Sequence, residues 1–192
     1  MSSDEGLRLR LVRVGGELLD TEGPAALTLR AIARRAGVSH GAPRRYFPTH
    51  RELLSAIARD GFTELARLAE QAAAASAGGH RARIAAVARV YLEFAATRRG
   101  RFDLMFRHDL LESGHLGLRD VSLPLFGLLT DLVARALPGA ATPPEIVAGA
   151  LWANLHGLAQ LSNWGSLRLA TGAADPGVLL DAVLTAHLGP AA

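Results

Sequence analysis

The segment LTLRAIARRAGVSHGAPRRYFPTHRELL, Leu27 to Leu54, constrains the fold more than any other stretch of the chain. Apolar residues at helical spacing (Leu29, Ile32, Ala33, Ala36) lead to Gly37, an apolar Val38 follows, and a second short helix is predicted from Ser39. Glycine at that point tolerates the positive φ with which a helix ends and the chain turns sharply. Two helices joined by such a turn need polar side chains at the exposed amino end of the second, and Ser39, His40, Arg44 and Arg45 supply them. Between Thr28 and Arg51 there are six arginines (30, 34, 35, 44, 45 and 51) and no acid. Arginine meets phosphate bidentately, so Arg30 and its neighbours are placed for a polyanion.

Charge along the rest of the chain agrees. Residues 1–60 hold ten Arg against seven Asp and Glu, a net of +3, whereas residues 61–192 hold eleven of each, a net of zero. The excess positive charge therefore coincides with the turn motif, and a nucleic-acid partner is expected for that part. Apolar residues are 49% of the chain and aromatics only 5%, so the core must be built from Leu, Ala and Val, which permit or favour helix. There is no cysteine, which excludes disulfides and thiolate metal sites. The amino end MSSDEGLRLR lacks the apolar region of a secretory signal, and no stretch approaches eighteen uncharged apolar residues. A cytoplasmic location without a membrane partner is expected.

Periodicity predicts helices throughout and no strand. The expected spans are about 5–21, 28–37, 39–47, 49–75, 80–98, 101–112, 116–136, 143–164 and 175–188. Thr28 and Ser39 are read as caps of the two motif helices. Thr49 and Glu52 form a capping box, and Thr142 before Pro143 reads as another cap. Pro124 should kink the 116–136 helix or mark its start. The histidines do not form a ligand set, since His108 and His115 stand seven apart around Gly114. No strand-turn-helix nucleophile elbow is present. No metal, cofactor or enzyme activity is expected.

Residues 7–60 closely resemble the DNA-binding domain of the tetracycline-repressor (TetR-like) family of bacterial transcriptional regulators. The resemblance rests on Leu29, Ile32-Ala33, Ala36-Gly37-Val38-Ser39, Gly41-Ala42, Phe47 and Thr49-x-x-Glu52-Leu53-Leu54. It implies that Thr28 meets a phosphate through its hydroxyl or backbone N–H. It implies too that Ser39, His40, Ala42, Pro43 and Arg44 form the exposed face of the recognition helix, and that Thr49, His50 and Arg51 hold phosphate across the groove. Arg44 is the first choice for a bidentate guanine contact, with a phosphate contact as the alternative. Three positions depart from the family's commonest pattern: Arg44 stands for a tyrosine, Tyr46 for a histidine and His50 for a lysine. Tyr46 is accordingly expected to take over one phosphate hydrogen bond.

In the neutral part, the W-x-x-x-H-G pattern at 152–157 resembles the tryptophan-histidine-glycine class of C-terminal domains in that family, and RGRFDLMF at 100–107 is similar to its short central helix. Read from the residues alone, Trp152 and His156 are first of all core or dimer-interface residues with their polar atoms satisfied, and walls of a ligand cavity are the alternative. The resemblance implies an all-α chain, with a helix-turn-helix domain at 1–50 and a larger effector-binding and dimerisation domain at 51–192 joined to it by a long helix. The expected effector is a small hydrophobic molecule in a cavity walled by Phe102, Met105, Phe106, Leu125, Leu129, Trp152, Leu155 and His156, with His108 or His156 as its hydrogen-bond partner. The expected function is a homodimeric repressor on a palindromic operator, its two recognition helices about one DNA turn apart. The alternative is a DNA-organising dimer with no effector.

Overall fold

Several helices begin or end in this chain where a cap, a glycine or a proline makes the backbone do so. The computed structural model describes residues 3–112, 117–172 and 175–190. Among them lie eleven α-helices and no strand, the all-α class expected. In chain order these are α1 (Ser3–Glu22), α2 (Leu29–Arg35), α3 (Ala42–Tyr46), α4 (His50–Ala75), α5 (His80–Thr97) and α6 (Arg99–Met105). There follow α7 (His108–Glu112), α8 (Leu118–Ala136), α9 (Pro144–Asn163), α10 (Ser166–Thr171) and α11 (Pro176–Leu188). A 3₁₀ turn, Pro24–Ala26, separates α1 from α2.

The expected boundaries shift in four places. The recognition helix starts at Ala42, with Gly41 as its cap and no side-chain capping bond, so Ser39 does not cap it. Instead the Ser39 carbonyl accepts from the Ala42 N–H at 3.0 Å across a tight turn. The 101–112 span divides into α6 and α7 at Phe106-Arg107. Pro124 lies inside α8 and does not start it, and Pro143 rather than Thr142 caps α9. The short helix α10, between Gly165 and Gly172, both at positive φ, had no signature in the hydrophobic pattern. His115 lies outside the described residues.

The chain divides into two compact units. The first comprises the described residues of Met1–Glu64 and Arg98–Val121, and so joins α1–α3 and the start of α4 to α6 and α7. Leu11, Val14 and Leu18 of α1 pack in its core with Ile32, Ala33, Phe47, Leu53, Ile57 and Phe62. One buried arginine holds α6 in place there. Arg101 donates through Nε to Asp20 Oδ2 of α1 at 2.7 Å and through Nη1 to Glu64 Oε2 of α4 at 2.7 Å. Asp60 lies 3.7 Å from the same guanidinium. Asp60 titrates above the ordinary carboxylate range, because burial outweighs the attraction of Arg101, and Glu64 adds repulsion.

The second unit comprises the described residues of Leu65–Thr97 and Ser122–Ala192. Its core is the contact of α5, α9 and α11, through Ile84, Ala88, Leu92, Ala148, Leu151, Leu155, Leu180 and Leu184. Arg81 at the start of α5 closes the far end of α11: it donates to the carbonyls of Leu184 and Gly189 and to Thr185 Oγ1. Among the described residues no helix is long and apolar enough to cross a membrane.

Candidate nucleic-acid interface

The turn at Gly37 sets the geometry of the candidate interface. Gly37 has φ +67°, its N–H donates to Arg34 O at 3.2 Å, and the Val38 N–H donates to Ala33 O at 3.0 Å. This pair of bonds is the glycine-terminated helix end that the sequence predicts. Thr28 opens α2 as its cap, its hydroxyl oxygen accepting from the Ala31 N–H at 3.1 Å. Its own N–H donates to Ala26 O at 2.9 Å, which leaves the hydroxyl hydrogen as the Thr28 donor to a ligand.

The predicted contact residues separate by exposure. Arg30, Ser39, His40, Arg44, Arg45, Thr49, His50 and Arg51 are exposed, and Ala42 and Tyr46 are half-buried. Pro43 is buried, which corrects the expectation that it shares the exposed face: in the first turn of α3, where a missing N–H costs little, its ring packs inward. Arg45 lies over the Tyr46 ring, 6.0 Å from its centroid. Two further arginines, neither assigned a contact individually, stand on α2 and α1. Arg34 is exposed on α2, and Arg8 of α1 sits 5.3 Å from the centroid of Phe47, at the carboxyl end of α3.

Three of the phosphate candidates already have protein partners. Thr49 accepts from the Glu52 N–H at 3.2 Å, one half of the capping box expected, while the Glu52 carboxylate accepts from the Thr49 hydroxyl at 3.1 Å instead of from its backbone N–H. His50 Nε2 lies 3.1 Å from Leu27 O. A carbonyl only accepts, so this nitrogen carries hydrogen and its donor is already used within the protein. Arg51 Nη2 donates to Asp109 O of α7.

The effector candidates fall in both compact units. In the first, Phe102 and Met105 are fully buried, and the Phe106 ring packs against Phe62 (5.5 Å, 78°) and Phe102 (5.0 Å, 60°). His108 is exposed at the first position of α7. In the second unit, Leu129 and Leu155 are buried and Leu125 half-buried, whereas Trp152 is 39% exposed. Trp152 Nε1 donates to Tyr91 Oη at 3.3 Å, and Tyr91 Oη lies 2.8 Å from His156 Nδ1. Phe126 stacks edge-on against Trp152 at 6.1 Å. Burial pushes the Tyr91 phenol well above its usual range, the Trp152 bond opposing this only partly, so it stays protonated and can donate to His156. Tyr91 was missed from the sequence, because nothing local links it to a partner 65 positions away. A separate apolar depression of about 150 Å³, lined by Val133, Leu137, Pro144 and Val147 among others, touches none of the predicted effector residues.

Comparison with known proteins bears on both ends of the chain. Residues 11–57 match the profile of bacterial regulatory proteins of the tetR family, and residues 84–187 match the tetracyclin repressor-like C-terminal domain. No curated protein sequence matches the chain. Among solved structures, it is similar to a Rhodococcus sp. RHA1 protein of unknown function, at 28% identity over 95% of this chain and 93% of that one, with a TM-score of 0.82. It shares its fold with the multidrug binding protein EbrR complexed with imidazole, at 24% identity over 96% of each chain and a TM-score of 0.58. It likewise shares its fold with RolR in complex with the ligand resorcinol, at 21% identity over 97% of this chain and 89% of that one, with a TM-score of 0.62. Its amino-terminal helix-turn-helix and its helical carboxyl-terminal part thus both fall within one family, and the chain belongs to the tetracycline-repressor family of bacterial regulators.

Proposed function

We propose that the protein is a cytoplasmic, homodimeric transcriptional repressor that binds a palindromic operator and releases it on binding a small hydrophobic effector. The observation that carries this reading is the pair α2–α3, turned at a positive-φ Gly37 and bearing exposed Arg30, Arg34, Arg44 and Arg45 with no acid between Thr28 and Arg51. In this reading Ser39, His40, Ala42 and Arg44 face base edges, and Thr28, Arg30, Arg45, Tyr46, Thr49, His50 and Arg51 hold phosphate. Residues 1–50 then serve as the DNA-binding domain and 51–192 as the effector-binding and dimerisation domain. Neutral, largely apolar surroundings near Trp152 and His156 suit a small ligand with one or two polar groups, in keeping with the aromatic ligands of EbrR and RolR.

Selection of bound duplexes from a random pool tests this directly. A palindromic consensus is expected, with a log–log salt slope of about −0.9 per phosphate neutralised. A chain that enriches no sequence and shows no salt dependence would overturn the reading. A second reading, a DNA-organising dimer without effector, draws on the complete burial of Phe102 and Met105, which fills space that an effector would need. Titration of the selected duplex against imidazole and resorcinol separates the two, since only a ligand-responsive protein loses DNA affinity with either compound.

A further inference from the structure

On one face of α4, Arg51, Ser55 and Arg59 succeed one another at intervals of one turn, and α7 and Gly117 are fastened to that face. Arg51 donates to the carbonyl of Asp109 and Arg59 to that of Gly117, the latter at 2.9 Å. Leu110 and Leu118, each the residue after one of these carbonyls, are fully buried. Ser55, between the two arginines, is also fully buried, and its hydroxyl has no hydrogen-bond partner. A buried hydroxyl left unpaired costs about 1–3 kcal/mol, so this face is held closed against an unmet polar group. Asp109 itself is gripped by Arg107, at 3.0 and 2.8 Å, which keeps a carboxylate beside the carbonyl that Arg51 uses.

We propose that Arg51 is a two-way switch: its guanidinium bonds either α7, through Asp109 O, or the operator backbone, so that a closed α7 and bound DNA compete for one side chain. This rests on the DNA-binding reading above and adds its regulation. The Asp109 carboxylate also attracts Arg51, but Arg107 already pairs it through two bonds, whereas a phosphate gives Arg51 a charged acceptor of its own. DNA therefore draws Arg51 away and loosens α7. By reciprocity, anything that holds α7 closed weakens DNA binding by the same factor. The aromatic cluster of Phe102 and Phe106 lies immediately before α7 in the chain, which gives a ligand in that region a short route to the interface.

Hydrogen exchange of the full chain, free and saturated with its selected duplex, tests the switch without any effector. The amides of Leu110 and Leu111 both donate to Arg107 O at 3.1 Å and report the integrity of α7. DNA is expected to speed their exchange about tenfold, the equivalent of one charged hydrogen bond. In Arg51→Ala the free protein should already exchange at the faster rate, with no further change on DNA. Retained or increased protection of α7 in a wild-type complex that gel shift shows to be formed would overturn the switch alone, with no variant needed. Failure of every duplex to bind would overturn the functional reading and the switch with it.

Discussion

At the scale of single residues, the informative side chains are charged or polar groups held away from water. Arg101 is 9% exposed and bonds two carboxylates on two different helices. Removing one partner of a buried ion pair strands the other, so Arg101→Met or Asp20→Asn should lower stability by about 3–5 kcal/mol in denaturant unfolding. Asp60, in the same cluster, should behave oppositely. Its carboxyl titrates higher in the folded chain than in the unfolded one, so its favourable contribution is complete below the unfolded value and is lost as pH rises through the folded one. Asp60→Asn removes that penalty at neutral pH, and unfolding midpoints for the variant should match or exceed the wild type there. Equal losses for Asp20→Asn and Asp60→Asn would contradict this assignment. Tyr91→Phe removes the oxygen shared by Trp152 and His156 and should cost about 1 kcal/mol, read from the same unfolding curves.

At the scale of elements, the motif depends on backbone conformation. Gly37 has φ +67° and open space where a Cβ would stand, so Gly37→Ala meets only the left-handed penalty, about 1–2 kcal/mol. Gly41, equally unobstructed but at φ −82°, should accept alanine without loss. Thermal unfolding of the two variants side by side checks the contrast. Both helix ends at Thr28 and Thr49 were legible because capping is a short-range bond between near neighbours. The start of α3 was not, because two residues of turn intervene after Ser39 and no side chain marks Gly41. Nor was α10, six residues whose exposed Leu169 gives no amphipathic pattern.

At the scale of the whole molecule, the unexplained surface is apolar. Ile146, Ala150, Ala153 and Leu161 follow one another along a stripe of α9, with Trp164 just past its end, exposed although large or non-polar, and Val178 and Ala182 do so on the adjoining α11. Trp164 is 70% exposed and Val178 67%, large apolar side chains left open to solvent. A second copy of the chain, pairing the same faces about a two-fold axis, would cover them. Ile146→Arg with Val178→Arg should therefore give a monomer in sedimentation and weaken operator binding. A wild-type chain that sediments as a monomer would refute the dimer.

Local chemistry alone determined the all-helical class, the turn at Gly37, the caps at Thr28 and Thr49, and the basic face of α2 and α3. Each follows from residues within a turn or two of one another, where spacing and backbone preference act directly. Packing decided the rest. Pro43 turned inward, Arg51 found α7, Arg101 joined α6 to α1 and α4, and Tyr91 came between Trp152 and His156. These partners stand 37 to 81 positions apart. Whether a polar group reaches solvent or another side chain depends on which distant surface covers it, and no local pattern encodes that.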